Sequence, residues 1–111
     1  YMTVGTLDLS YFGGSGEAKM GMVFHSDNMD LIAEAGFQLD PEIEIMVIVY
    51  VKPCRNYAPV KLSVRGTGAI DTTLITGWGG GGGHRNASGM QIPLSKFQEF
   101  LDQFEQVGHF V

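Results

Sequence analysis

Residues 78–89 contain the backbone and side chains best suited to chemistry. A run of five glycines, residues 79–83, is followed directly by three polar residues, His84, Arg85 and Asn86. Successive glycines can turn their N–H groups toward one point, with no Cβ to hold a ligand away, and so bind an anion. A titratable imidazole, a fixed cation and an amide add donors that suit phosphate and a sugar or base. The segment therefore predicts an anion site.

A flexible linker is the alternative interpretation of the glycine run, because polyglycine has little to bury and high backbone freedom. Only residues 90–111 follow the segment, and they carry a single amphipathic helix that does not fold alone. The run is therefore predicted to lie inside a domain. It is not a Walker motif, since no Gly-Lys-Ser or Gly-Lys-Thr follows it, and it lacks the later acidic residue of a dinucleotide fingerprint. Trp78 either anchors the segment on the core or stacks on a base.

The composition restricts what such a site can bind. The chain has 111 residues, 44% of them hydrophobic, which suits one folded domain and excludes a wholly disordered chain. Its formal charge of -5 excludes a broad basic surface for nucleic acid, so an anion site must be local. A lone cysteine, Cys54, makes neither an internal disulfide nor a multi-thiolate zinc site. With neither a signal peptide nor an apolar stretch of membrane-spanning length, we expect a cytoplasmic chain with no membrane partner.

Strands alternating with helices are predicted to position the segment. The apolar run at residues 20–24 indicates a buried strand, and residues 43–51, rich in β-branched side chains, indicate a central strand covered on both faces. Residues 60–65 alternate apolar and polar side chains, which predicts a strand with one solvated face. A brief strand is expected at residues 90–92, and residues 52–59 have the composition of a connecting loop.

Three helices are predicted between these strands. Residues 27–36 have apolar side chains at helical spacing, with Ser26 or Asp27 as the cap. A short helix is expected through Ile75, capped within residues 71–73 and ended by the glycines. A third helix follows Pro93. Its apolar stripe is predicted to belong to the core and consists of Phe97, Phe100, Leu101 and Phe104. The fold class is therefore α/β, a small mixed sheet with helices packed on it.

Two motifs carry a resemblance to a known family. Residues 80–89 resemble the Gly-Gly-Gly-His-x-x-Ala-x-Gly signature of the DHH-associated C-terminal domain, first type, of the DHH phosphoesterases. Residues 61–66 are similar to the family's Ser-x-Arg-Ser strand, which precedes the signature in the same order. Gly66 stands where the family often has serine, and the glycine run is one residue longer than the signature requires. The resemblance covers residues 20–107 in outline.

The resemblance implies a two-domain parent enzyme. In that family an N-terminal domain with an Asp-His-His motif binds two divalent metals such as manganese and cleaves phosphoester bonds, while the C-terminal domain binds and orients the substrate. Members include RecJ-type exonucleases, oligoribonuclease-like nanoRNases, cyclic dinucleotide phosphodiesterases and exopolyphosphatase-related proteins. We expect residues 1–19 to continue from such an upstream domain and residues 20–111 to form the DHH-associated substrate-binding domain. The expected partners are the N-terminal DHH domain and a phosphorylated small molecule, nucleotide or short oligonucleotide.

The resemblance and the residue types together predict the binding residues. They are Arg65, Gly80, Gly81, Gly82, Gly83, His84, Arg85 and Asn86. The chain has no Asp-His-His triplet, and its three histidines lack the carboxylate spacing of a two-metal site. We therefore predict no catalytic residue, metal ligand or cofactor in this chain, and we expect it to hydrolyse nothing alone. Two alternatives stay open: a tRNA-binding appendage related to the C-terminal domain of alanyl-tRNA synthetase, and a structural or dimer-forming domain.

Overall fold

A computed structural model describes residues 1–25, 27–51 and 59–110 of the chain. In these residues seven strands form one sheet, on which three α-helices pack. The strands are β1 (Met2–Asp8), β2 (Glu17–Phe24), β3 (Ile45–Val51), β4 (Val60–Gly66), β5 (Gly82–His84), β6 (Ala87–Ile92) and β7 (Phe104–Phe110). The helices are α1 (Met29–Leu39), α2 (Thr73–Trp78) and α3 (Leu94–Asp102), with a short 3-10 helix at Leu9–Phe12.

The strand order is β5-β6-β4-β3-β2-β1-β7, with β2 and β3 parallel and every other neighbouring pair antiparallel. The predicted fold class, a mixed sheet with helices packed on it, is confirmed. The apolar run at residues 43–51 supplies the central strand β3, whose residues 45–49 are buried on both faces, as predicted. In the described part of the chain, none of the helices has the length and apolarity that a membrane crossing requires.

The helices divide the sheet into two unlike faces. On one, the α1 face, Ala33 of α1 packs with Met46 and Ile48 of β3 in the smaller core cluster. The other face carries α2, α3 and the 3-10 helix over the larger core, which includes Leu62, Val64, Ile75, Met90, Phe97 and Phe100. Because α1 contacts mainly β3 and reaches only the near side of β4, it leaves β5 and β6 without a helix on the α1 face.

Several elements differ from the sequence-based expectations. Strands β1, β5 and β7 were missed, and Phe104 lies in β7 rather than in the third helix. The first helix runs to Leu39, and Asn28, at a φ of 52°, precedes it without a side-chain cap, so the predicted cap at Asp27 is wrong. Ser26, Cys54 and most of the predicted loop at residues 52–59 lie outside the described residues.

The first nineteen residues contribute to the same sheet. Strand β1 pairs with β2 over Thr3–Asp8 and with β7 on its other side, so it is the sixth strand in the order. A register shift between Val4 and Gly5 interrupts its pairing with β7. The alternation in β1 is hard to recognise because two of the strand's non-core positions are threonines and Gly5 has no side chain. That residues 1–19 continue from an upstream domain stays a prediction.

Candidate functional site

Arg65 and His84 lie on the same face of the sheet, in one row across three strands. The register pairs Arg65 of β4 with Ala87 of β6, and Ala87 in turn with His84 of β5. Directly opposed residues of neighbouring strands point to the same face, and strands lie about 4.8 Å apart, so the two Cα atoms are about 10 Å apart. The small Ala87 side chain lies between them. Binding of one ligand by both residues, which the sequence predicts, requires this placement on one face.

The guanidinium of Arg65 is held in position by helix α1. Its Nε donates to Asp30 Oδ1 at 2.7 Å, and Nη1 donates to the Val64 carbonyl at 3.3 Å. The side chain is 22% exposed, whereas that of Asp30 is 89% exposed. A guanidinium has five N–H donors, so several remain available beyond these two bonds. They adjoin a groove of about 210 Å³ between α1 and β4, whose lining includes Phe37, Asn86 and the carboxylates of Asp30 and Glu34.

The glycine run has two parts with different roles. The Gly80 N–H donates to the Gly77 carbonyl at 3.0 Å, and the Gly81 N–H donates to the Thr76 carbonyl at 2.8 Å. These bonds satisfy carbonyls at the end of α2, so the expectation that Gly81 offers its N–H to an anion is wrong. The exposed backbone of Gly80 and Gly81 instead lines a second groove on the sheet.

The remaining glycines form part of β5, an edge strand whose one partner among the described strands is β6. Gly83 has a φ of +147°, and a Cβ on it would lie 2.6 Å from the Ala87 carbonyl oxygen. Gly82 differs, because a Cβ there meets nothing within 4 Å. A strand paired on one side points alternate N–H groups outward. Among the described residues, the N–H groups of Gly82 and Gly83 have no acceptor outside the β5–β6 ladder, so this edge keeps an N–H for a ligand.

A buried hydroxyl network fixes the β5–β6 hairpin on helix α2. Thr72 Oγ1 donates to the His84 carbonyl at 3.0 Å, and Ser88 Oγ donates to Thr72 Oγ1 at 2.7 Å. Thr76 Oγ1 donates to Ser88 Oγ at 2.9 Å. All three hydroxyl side chains are buried. Sequence reasoning missed this network; the only signal was the presence of Ser88 inside the glycine-rich signature.

Replacing Thr72 with valine is expected to destabilise the protein. The variant keeps the volume but removes the donor to His84 and the acceptor for Ser88, leaving buried polar groups unpaired, at a cost of about 1 to 3 kcal/mol. Chemical denaturation measures the loss. Thr67→Val is the matched control, because Thr67 is exposed and its backbone N–H bond to Glu44 survives the change. Equal unfolding midpoints for the two variants contradict the network's role.

Arg85 and Asn86 form the two-residue turn of the hairpin and point to different surroundings. Arg85 Nη2 donates to the Gly68 carbonyl at 3.1 Å, with Nε at 3.4 Å from the same oxygen. The Thr73 hydroxyl and N–H hold the pKa of the Asp71 carboxyl below its ordinary value, and the charge of Arg85 adds a smaller attraction. Arg85 is therefore tied to the loop before α2, whereas Asn86 lines the groove beside Arg65.

The Asp71 bonds predict a pH dependence of stability. Thr73 N–H and Oγ1 donate to Asp71 Oδ1 at 3.0 and 2.6 Å. Because folding lowers the carboxyl pKa, these bonds stabilise the fold above the unfolded-state pKa and lose that effect as pH falls through the folded-state value. Asp71→Ala is expected to melt below the unmodified chain at pH 7 and together with it near about pH 2. A melting difference that is the same at both pH values contradicts this role.

Lys61 and Gln91 are two polar residues beside the site that sequence reasoning did not single out. They are register partners in β4 and β6, and both are exposed. Lys61 is four positions from Arg65 along one strand, so both side chains are on the α1 face. The strict alternation of residues 60–65 was the available signal.

Among the described ranges, no group of three or more His, Cys, Asp or Glu side chains is placed to hold a metal ion.

Trp78 packs away from this face. Its ring contacts Phe12 edge-on at 5.2 Å between centroids and Tyr11 at 5.8 Å, and it lies against the larger core on the opposite side of the sheet. Lys96 Nζ is 4.7 Å from its centroid. Of the two roles that the sequence left open for Trp78, the structure supports the core anchor.

Comparison with known proteins gives a family match and two similar folds. A family model described as DHHA1 domain matches residues 19–108. An uncharacterized protein from Helicobacter pylori G27 has a similar structure, with a TM-score of 0.57 and 22% identity over 78% of this chain. The pGpG-specific phosphodiesterase PggH from Vibrio cholerae matches with a TM-score of 0.57 and 14% identity over 75% of this chain. This chain spans 24% and 30% of those two chains, and at these identities the likeness shows the fold. None of the curated proteins compared with the chain matches it.

Proposed function

Since the chain belongs to the DHHA1 domain family, the DHH-associated domain, we propose that it binds the phosphate of a nucleotide or short oligonucleotide for a DHH-family phosphoesterase. In this proposal the catalytic partner is an N-terminal DHH domain. The PggH protein, part of which has a fold similar to this chain, is named as a phosphodiesterase specific for pGpG. That name supports the choice of a short phosphorylated oligonucleotide as the ligand class.

The observation that carries the proposal is the row formed by Arg65, Ala87 and His84 on the α1 face. Arg65 supplies a guanidinium that Asp30 already orients, and His84 is exposed on the edge strand. Ala87 leaves room between them for an anion. Charge-assisted hydrogen bonds from such groups to phosphate are about twice as strong as neutral ones. The positively charged group is thus positioned before the ligand arrives, which reduces the entropic cost of binding.

The chain's charge supports a small ligand over a long polyanion. A net charge of -5 repels an extended nucleic acid, and each further phosphate contact requires another cation. Arg65 and His84 are the basic side chains of the row that the described parts of β4, β5 and β6 form on the α1 face. A short ligand with one or two phosphates matches that supply.

In the parent enzyme these residues position the substrate. The guanidinium and imidazole hold one phosphate, the edge N–H of β5 adds a donor, and the oligonucleotide then extends from a fixed point toward the catalytic partner. Holding a reactant in place lowers the activation barrier by removing translational and rotational freedom before the chemical step. The divalent metals of the DHH domain supply the hydrolytic chemistry when they are bound.

A titration of the chain tests the proposal. Isothermal calorimetry with pGpG, with GpG lacking the 5′ phosphate, and with inorganic phosphate as competitor separates phosphate binding from contacts to base and sugar. We expect pGpG to bind about tenfold or more tightly than GpG, since loss of a charged hydrogen bond costs about 1.5 to 3 kcal/mol. Phosphate is expected to displace pGpG.

Other outcomes contradict the proposal. Equal affinities for pGpG and GpG exclude a phosphate site, and absence of binding by every probe leaves a structural or dimer-forming role. Tight binding of tRNA with a steep dependence on salt, without binding of pGpG, supports the tRNA-binding alternative.

A further inference from the structure

A second groove lies on the α1 face, beside the row of Arg65 and His84. It has a volume of about 330 Å³ and is lined by Lys61, Gly80, Gly81, Gly89, Met90 and Gln91. Lys61 and Gln91 are exposed register partners that point to the same face as Arg65. In the described part of the chain, no carboxylate forms an ion pair with Lys61.

Glycines form the surface that joins the two sites. Gly82 and Gly89 are register partners, and they form the next pair on the α1 face after His84 and Ala87. A Cβ on Gly82 would meet nothing within 4 Å, and one on Gly89 would meet only the Leu62 carbonyl oxygen, at 3.5 Å. The glycines are therefore not required there by packing. Ser63, the β4 member of this row, is buried, so the accessible path runs over β5 and β6.

Strand geometry gives the distance between the Cα atoms of the two basic residues. Arg65 and Lys61 are four residues apart on β4, which at about 3.3 Å per residue separates their Cα atoms by about 13 Å. Successive phosphates of an extended single strand are about 6 to 7 Å apart, roughly twice the rise per nucleotide in a stacked strand. The spacing of about 13 Å therefore matches the distance from the first to the third of three successive phosphates.

We propose that the groove at Lys61 and Gln91 is a second phosphate subsite, so that the chain selects linear oligonucleotides of at least three nucleotides over shorter ones. This proposal rests on the proposed function of the first site. The Lys61 ammonium binds the distal phosphate, and the Gln91 amide donates to the same group or to the adjoining sugar. The glycine surface allows the two intervening nucleosides to lie against the sheet.

A length series with pG, pGpG and pGpGpG tests the subsite. The unmodified chain is expected to bind pGpGpG about three- to tenfold more tightly than pGpG, because the third phosphate adds one charged contact with Lys61. Lys61→Met is expected to remove that gain while changing the affinity for pGpG by less than about twofold. Lys96→Met is the matched control, because it removes the same charge from the opposite side of the sheet.

A second variant tests the glycine surface between the two sites without changing the net charge. Gly89→Val places a branched side chain between the two sites and is expected to lower the affinity for pGpGpG more than that for pG. If Lys61→Met leaves the preference for pGpGpG intact, or weakens all three ligands equally, the subsite is excluded while the first site stands. If pG, pGpG and pGpGpG all fail to bind, the proposed function itself fails.

Discussion

Replacing Gly81 with alanine is expected to lower the free energy of unfolding by about 1 to 3 kcal/mol, the range for forcing extra atoms into a packed region. A Cβ at this position would lie against the Gly89 carbonyl oxygen and 2.8 Å from Met90 Cα. Both are backbone atoms of β6, so no side-chain rotation relieves the clash. Each kcal/mol lowers the melting temperature of a domain of this size by about 4 to 8 °C, so calorimetry should record a fall on the order of 10 °C.

Gly77→Ala is the control for this substitution. Gly77 lies in α2, is exposed, and a Cβ there meets nothing within 4 Å. Alanine in a helix interior is favoured over glycine by about 0.5 to 1 kcal/mol, so this variant should melt at or above the unmodified chain. If Gly81→Ala melts with Gly77→Ala, the close approach of the glycine run to β6 is contradicted.

Replacing Arg65 with alanine is expected to weaken pGpG binding by about 10- to 100-fold. The variant removes the oriented cation of the proposed site, and a hydrogen bond to a charged group is worth about 1.5 to 3 kcal/mol. Stability should change little, because the Arg65–Asp30 pair is partly solvated and such pairs contribute about 0 to 1 kcal/mol. His84→Ala is expected to weaken binding in the same range. Calorimetric titration and thermal melting measure the two effects separately.

Arg85→Ala provides the matched control. Arg85 is the neighbour of His84 in sequence, and its guanidinium donates to the Gly68 carbonyl. Its removal takes away one positive charge without removing a donor from the α1 face, so pGpG affinity should fall by less than about threefold. If Arg85→Ala weakens binding as much as Arg65→Ala, the site lies at the hairpin turn rather than on the row.

The central part of the fold was predictable from local sequence. The β-branched run that became β3 has to be buried on both faces, and the spacing of Phe97 and Phe100 in α3 is helical. The edge strands were not predictable in this way. Strand β7 carries Glu105, Gln106 and His109 and has no apolar alternation to distinguish it from a loop. Glycine is disfavoured in strands. Strand β5 is therefore stabilised by its pairing with β6 and by the bond from Thr72, next to α2, to the His84 carbonyl.

The sequence predicts which residues form the candidate site, but not which of their N–H groups already donate to other parts of the chain. The signature identified His84 and its glycines, and the alternation of β4 identified the face of Arg65. The bond from Arg65 to Asp30 joins residues 35 positions apart and depends on how α1 packs on the sheet. The use of the Gly81 N–H by Thr76 likewise depends on where α2 ends. These are tertiary contacts, and no local pattern in the sequence encodes them.

Gly82→Ala, compared with Gly108→Ala, tests the central claim most directly. Gly82 lies in the edge strand β5 and Gly108 in the edge strand β7, and a Cβ on either meets nothing within 4 Å. Both variants should therefore melt within a few degrees of the unmodified chain. The Gly82 methyl group lies beside His84, where it obstructs the ligand, whereas Gly108 lies in β7 at the opposite edge of the sheet. We predict that pGpG binds Gly82→Ala at least about tenfold more weakly and binds Gly108→Ala with unchanged affinity. Equal affinity of the two variants for pGpG would contradict phosphate binding at this segment.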